Sequence, residues 1–112
     1  MKAPAALDAL GALAHATRLA AFRALVQAGG TGLAVGELRE TLDVPAATLT
    51  AHLNVLRRAG LVLDAREGRV IRLRAHYARM AALVDYLTEN CCGGDTVCLP
   101  AKACSPKSPQ RP

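Results

Sequence analysis

The chain contains no tryptophan, and its aromatic residues are three in 112, Phe22, Tyr77 and Tyr86. Without aromatics interleaved among basic residues it has no platform for stacking unpaired bases, so duplex nucleic acid suits its charge better than a single strand. No run of about 18 uncharged apolar residues occurs, which excludes a membrane-spanning helix. The alanine-rich start is interrupted by Asp8, His15, Arg18 and Arg23 and leads into no cleavage-site pattern, so it does not read as a secretory leader. A cytoplasmic location is expected. Cysteine is absent before Cys91, and all four, Cys91, Cys92, Cys98 and Cys104, fall close together after it. In a reducing compartment that confinement points to metal or metalloid binding rather than to a disulfide framework. There is no nucleophile–base pair and no phosphate-binding glycine loop, so an enzyme is not expected.

The 52% hydrophobic content is ample for a single globular core. A domain of this size still buries only about 60–70% of its unfolded surface, and pairing of two copies would add to that. The net charge of +5 is concentrated: Arg57, Arg58, Arg66, Arg69, Arg72, Arg74 and Arg79 are opposed between residues 57 and 79 only by Asp64 and Glu67. Clustered guanidinium groups of this kind are the electrostatic footprint of a polyanion partner.

The stretch from Val35 to Val62 organises the rest. Val35, Leu38 and Leu42 are spaced for one helix face, and Asp43-Val44-Pro45 then breaks the pattern, because proline suits a first helical turn and disfavours helix in the residue before it. A second helix begins at Pro45 with Leu49, Leu53 and Leu56 on its apolar stripe. Thr50, Ala51, Asn54, Arg57 and Arg58 are left on other faces, and Gly60 stops the helix. Two short helices about a tight turn make a helix-turn-helix, whose second helix can enter a major groove. Directly after it, Leu61–Arg66 and Arg69–Arg74 read as strands around the two-residue turn Glu67-Gly68. In the second strand Ile71 and Leu73 share the packing face while Val70, Arg72 and Arg74 share the other, which presents guanidinium groups. The fold class read from this pattern is mainly α with a β-hairpin wing, a winged helix-turn-helix.

The flanking helices read as scaffold. Pro4 opens a helix with Leu7, Leu10 and Ala14 on one face, and a helix from about Thr17 to Ala28 places Leu19, Phe22, Leu25 and Val26 at core spacing before Gly29-Gly30-Thr31-Gly32 stops it. From Tyr77 to about Asn90 a last helix carries Met80, Val84 and Leu87 on a stripe that Cys91 would extend. That stripe is the expected dimer seam, together with the first helix. The DNA-binding and dimerisation domain is placed at 1–92. Residues 93–112, with four prolines and no periodic apolar pattern, are expected to form a largely flexible tail that contributes to metalloid binding.

With these parts in place the sequence resembles the ArsR/SmtB family of metal-responsive winged-helix repressors over almost its whole length. The likeness is carried by Leu13-Ala14-His15-Ala16-Thr17-Arg18-Leu19, by Thr48-Leu49-Thr50-Ala51-His52-Leu53 with Leu56 and Ala59-Gly60-Leu61-Val62, and by the wing Arg66-Glu67-Gly68-Arg69. It implies a homodimer that binds double-stranded operator DNA and lets go when its inducer binds. On the recognition helix and the wing, Thr48, Thr50, Ala51, His52, Asn54, Arg57, Arg66 and Arg69 are the positions expected to contact DNA. Many arsenic-sensing members carry Cys-Val-Cys at the start of the helix before the turn. Here that place holds Ala34-Val35-Gly36, so the inducer must bind elsewhere. Cys91-Cys92 and Cys98, with Leu87-Thr88-Glu89-Asn90 and Gly93-Gly94-Asp95 around them, are similar to the C-terminal trio by which one subgroup binds As(III). Ala46 and Ala51 stand where the family commonly has a polar residue and an arginine, leaving few side chains for bidentate base contacts.

The chemistry of the trio agrees with that implication. Adjacent cysteines on a continuing helix point about 100° apart and cannot chelate together, but Gly93-Gly94 permits the chain to turn back and bring Cys98 to the pair. Soft thiolates select soft ions, and three of them fit pyramidal As(III). A structural zinc site asks for four ligands, and only Cys104 is at hand as a distant fourth. From Met80 to Ala101 there is no Lys, Arg or His, while Asp85, Glu89 and Asp95 are present. Acidic surroundings disfavour the free thiolates that a redox or nucleophilic cysteine needs. Arsenic hydroxide, in contrast, exchanges three waters for three thiols to give a neutral product. Antimonite, methylarsenite, cadmium and lead remain alternative inducers, and a thiol-based metalloid carrier or redox protein is the alternative class, which leaves the arginine-rich wing without a purpose. His15, His52 and His76 show no ligand spacing and are assigned to packing or phosphate contact.

Overall fold

A computed structural model describes residues 1–90 in the order α1 (Ala3–Leu13), α2 (Ala16–Ala28), β1 (Leu33–Ala34), α3 (Val35–Leu42), α4 (Ala46–Arg58), β2 (Val62–Glu67), β3 (Val70–Ala75) and α5 (Tyr77–Thr88). A single 3-10 turn, Gly29–Thr31, joins α2 to β1. The expected domain boundary after residue 92 lies outside the described residues.

The turn between α3 and α4 is set by two backbone facts. Asp43 ends α3 in a left-handed conformation (φ 53°), and Pro45, held at φ −61° and ψ 149°, is the extended residue from which α4 starts. At its other end α4 closes with a Schellman motif: the Gly60 amide donates to the Arg57 carbonyl at 3.0 Å and the Leu61 amide to the Leu56 carbonyl at 3.1 Å. Gly60 takes the φ of +78° that this motif assigns to glycine. Leu61 is thereby driven into the core beside Leu56, and the chain leaves in the direction of the wing.

The core is built mainly from leucines. Leu25, Leu38, Leu49, Leu53, Leu56, Leu61 and Leu73 are almost completely removed from solvent, so α2, α3, α4 and β3 share one apolar centre. Three antiparallel strands form the sheet in the order β1-β3-β2. The two-residue strand β1, unmarked by any sequence pattern, pairs Leu33 with Leu73 and Ala34 with Arg72. Gly32 permits this approach: its φ is +65°, and a Cβ there would lie 2.0 Å from the Leu73 carbonyl oxygen. Tyr77 anchors α5 to the scaffold by donating its hydroxyl to the Val26 carbonyl at 2.9 Å.

Burial defines the helix faces, and three expectations are corrected, for Leu19, for the wing turn and for the end of α5. In α1 the buried face is Ala6, Ala9 and Ala12, while Leu7 is 67% exposed and Leu10 40%. Alanines let this helix approach α2 and α4 closely, and the leucines are left outside. Leu19 is likewise exposed rather than part of the core. The wing turn is Gly68-Arg69, one residue later than the spacing implied, because Glu67 pairs with Val70. A turn at Glu67-Gly68 would set Arg66 directly opposite Arg69, an unfavourable like-charge pair. The observed register sets Arg66 opposite Ile71. In α5 Leu83 is the buried residue, and Val84 and Leu87 face outward. The helix ends at Thr88, with Glu89 extended and Asn90 at φ 58°, so it stops short of Cys91 rather than running on to it.

Candidate nucleic-acid interface

On α4, burial of Leu49, Leu53 and Leu56 turns Thr48, Thr50, Ala51 and Asn54 to solvent. These four lie on the open surface of the second helix of the helix-turn-helix. The other two expected contacts on this helix are engaged inside the protein. His52 is half-buried and faces the start of α2, where its ring lies 4.4 Å from that of His15 and its Nδ1 is 3.4 Å from Nη1 of Arg18. Burial first, and then the charges of His15 and Arg18, hold the His52 pKa below its ordinary value. Arg18 is itself fixed by donating Nε to the Ala12 carbonyl at 2.6 Å. His52 is thus turned toward α2 rather than aligned with the exposed threonines, beside which it is expected to contact DNA.

Arg57 lies between the recognition helix and the wing. Its Nε donates to Asp64 Oδ1 at 3.0 Å, and its Nη1 donates to Asn54 Oδ1 at 3.0 Å. Sequence reasoning counted Asp64 only as an opposing charge. Its place on β2, seven residues after Arg57 and across the Gly60 turn, is a tertiary fact with no local pattern. His76 closes the same turn from the other side, its Nδ1 lying 2.9 Å from the Gly60 carbonyl.

Arg66 and Arg69 stand exposed at the wing tip, Arg66 next to last in β2 and Arg69 in the turn. Among the described residues neither side chain makes a hydrogen bond or an ion pair, so both guanidinium groups are available to an external anion. Arg72, expected on the cationic face, is half-buried: Nε donates to the Thr31 carbonyl at 3.0 Å and Nη2 to the Gly32 carbonyl at 3.2 Å, with Glu37 Oε1 3.8 Å away. It ties the wing to the loop after α2. The Glu37 carboxylate also accepts from the Ala34 amide at 2.8 Å and so caps α3, in the place where a cysteine motif would have stood.

Cys91, Cys92, Cys98 and Cys104 lie outside the described residues. Among the described residues no cluster of three or more His, Cys, Asp or Glu side chains is arranged to hold a metal ion. None of the described helices is long and apolar enough to cross a membrane.

An exposed recognition helix beside a wing with free arginines at its tip defines a winged helix-turn-helix of the DNA-binding type. Comparison with known proteins agrees. A family model described as a helix-turn-helix domain matches residues 13–64, which hold α2 to α4. The biofilm growth-associated repressor of Agrobacterium fabrum is 38% identical over 78 residues, covering 70% of this chain, and the chain spans 64% of that relative's length. The crystal structure of the transcriptional repressor BigR from Xylella fastidiosa superposes with a TM-score of 0.60 at 32% identity, over 78% of this chain and 86% of that one. The solution structure of a homodimeric winged helix-turn-helix domain from Mycobacterium bovis, described as a possible ArsR-family regulator, gives 0.61 at 26% identity over 83% and 86%. The chain carries a helix-turn-helix domain and shares the winged-helix fold of solved regulators described as ArsR-like or possible ArsR-family members, a likeness to DNA-binding transcriptional regulators rather than to enzymes.

Proposed function

We propose that the protein is a cytoplasmic, arsenite-responsive transcriptional repressor that binds operator DNA as a homodimer and is released when As(III) binds Cys91, Cys92 and Cys98. The DNA-binding half of this reading rests on the open surface of α4 and the two unengaged arginines of the wing. One recognition helix reads only a few bases, and a twofold pair with helices about 34 Å apart reads enough for an operator. Exposed Leu7 and Leu10 on α1 and Val84 and Leu87 on α5 supply apolar surface for the second copy, and the Mycobacterium bovis relative is homodimeric by its description.

The single observation that carries the inducer is the cysteine trio itself, three thiols without a nearby cation, in the order Cys-Cys…Cys. Arsenic hydroxide and three thiols give an As(SR)₃ centre and three waters, with no charge left to neutralise. The early end of α5 supports the reading: the helix stops at Thr88, so the roughly 100° divergence that a continuing helix would impose on adjacent cysteines is not dictated by α5. A divalent soft ion would leave a net negative centre close in sequence to Asp85 and Glu89.

Fluorescence anisotropy with the duplex upstream of the protein's own gene tests both halves. Protein is titrated first, and then arsenite, antimonite, methylarsenite, cadmium and zinc are each added. Saturable binding followed by release with arsenite at the lowest concentration supports the proposal. Binding that arsenite leaves unchanged while another of these inducers releases it overturns the arsenite assignment.

A further inference from the structure

Asn54, Arg57 and Asp64 form a chain of two hydrogen bonds that runs from the reading surface of α4 to strand β2 of the wing. Arginine has five donors and no acceptor, so the atom of Asn54 that meets Arg57 Nη1 must be the carbonyl oxygen. The contact therefore fixes which way the Asn54 amide is flipped, and Asp64 holds Arg57 in place to do so. We propose that Asp64 is a positioning residue for sequence recognition: through Arg57 it pins the Asn54 amide so that the amide NH₂ is what the helix offers to a base. This rests on the reading of α4 as the recognition helix.

The consequence is a selectivity that base chemistry decides. In the major groove guanine presents N7 and O6, thymine O4 and adenine N7, all acceptors able to meet an amide NH₂. Cytosine presents only the N4 amino donor. An asparagine free to flip satisfies cytosine with its carbonyl oxygen, whereas a pinned one does not. The wild-type protein therefore selects against cytosine at the base position governed by Asn54. Both contacts are solvent-exposed, and exposed ion pairs of this type add little to folding. What the chain of bonds contributes is orientation, and its loss shows in base preference while the fold stands.

The test is selection of the full-length protein against a randomised duplex pool, followed by sequencing, for wild type, Asn54→Ala, Arg57→Ala, Asp64→Ala and Asp64→Glu. Asn54→Ala identifies the position in each half-site whose preference depends on this residue. There the wild type is expected to disfavour cytosine by about three- to fivefold, the bias that one weak, exposed pin can supply. Asp64→Ala and Arg57→Ala lower that ratio to below about twofold. Asp64→Glu, which keeps a carboxylate for Arg57, recovers part of it. Thermal melting of Asp64→Ala within a degree or two of wild type separates positioning from general loss of structure. Cytosine accepted by the wild type as readily as the other bases overturns the inference, as does an Asp64→Ala profile unchanged at the position that Asn54→Ala alters. Absence of any selected duplex overturns the recognition-helix reading itself, and with it this one.

Discussion

His15 and His52 stack with ring centroids 4.4 Å apart and planes tilted by 42°, joining the first turn of α2 to the middle of the recognition helix. Both rings use Nδ1 as an acceptor, His15 from the Thr17 amide at 3.1 Å and His52 from the Arg18 guanidinium at 3.4 Å. Each neutral ring therefore carries its proton on Nε2. A metal ion bridging the pair through Nε2 would force the proton onto Nδ1 and break both hydrogen bonds, so the pair is a packing contact rather than a ligand set.

This contact makes stability sensitive to acid. Burial, then His15 and Arg18, lower the His52 pKa in the folded protein below the ordinary 6.5. The unfolded chain takes up the proton first, so the contribution of His52 is complete above pH 6.5 and is lost as pH falls through that value toward the folded-state pKa. The expected outcome is a melting temperature that drops between pH 7.5 and 5.5 by more in the wild type than in His52→Gln. Differential scanning fluorimetry across that range measures it.

Gly32→Ala is expected to destabilise the protein by at least about 2 kcal/mol, combining a left-handed backbone that alanine rarely adopts with a Cβ only 2.0 Å from the Leu73 carbonyl oxygen. Gly30→Ala, two residues away with nothing within 4 Å of the added atom, stays within about 0.5 kcal/mol of wild type. Urea denaturation of the two variants side by side gives the comparison, and equal losses would remove the steric explanation.

The helix-turn-helix was legible because proline, glycine and three leucines at helical spacing each act locally: Pro45 starts α4, Gly60 ends it, and Leu49, Leu53 and Leu56 choose its buried face. The hairpin was legible from strand-forming runs around Gly68, but its register depended on which residues oppose each other across the strands. In α1 two apolar stripes compete, Ala6-Ala9-Ala12 and Leu7-Leu10, and periodicity cannot say which one packs within the protomer. Close packing chose the smaller side chains. The engagement of His52, Arg57 and Arg72 was invisible for a simpler reason. His15 and Arg18, Asp64, and the Thr31 and Gly32 carbonyls reach them from other elements, and helix or strand periodicity does not report such partners.

The exposed leucines that packing left over carry their own expectation. Leu10→Glu and Leu87→Glu change side chains that are 40% and 56% exposed in the protomer, so its fold is retained. A charge in an apolar dimer seam is costly to bury unpaired. Sedimentation velocity is expected to show each variant shifted toward monomer at concentrations where the wild type is dimeric. A wild-type sedimentation profile in both would place the dimer seam elsewhere.

At the wing, Arg66→Ala and Arg69→Ala are each expected to weaken binding to all duplexes alike and to reduce the slope of log Kobs against log salt by about one unit. Thr50→Ala and Asn54→Ala alter preference between sequences more than overall affinity. Titrations at four or five salt concentrations distinguish the two behaviours, and an unchanged slope in the double arginine variant would make the wing tip a solvated surface only.

Induction is the step that joins the cysteines to the interface. A ligand shifts DNA affinity only by binding one dimer geometry better than the other, and such couplings run at about 1–3 kcal/mol, or roughly 5- to 150-fold in affinity. Val84 and Leu87, on the outward face of α5, lie close in sequence to Cys91. On the proposed function, drawing three thiols onto one arsenic would pull on the end of the helix assigned to the seam. Replacing Cys91, Cys92 or Cys98 by serine is therefore expected to leave duplex affinity within about twofold of wild type and to abolish or blunt release by arsenite. Cys104→Ser behaves as wild type. X-ray absorption should count three sulfur ligands per arsenic in the wild type and two in each single variant of the trio. Release of all three variants at the arsenite concentration that releases the wild type would move the inducer site off these cysteines while leaving the DNA interface as described.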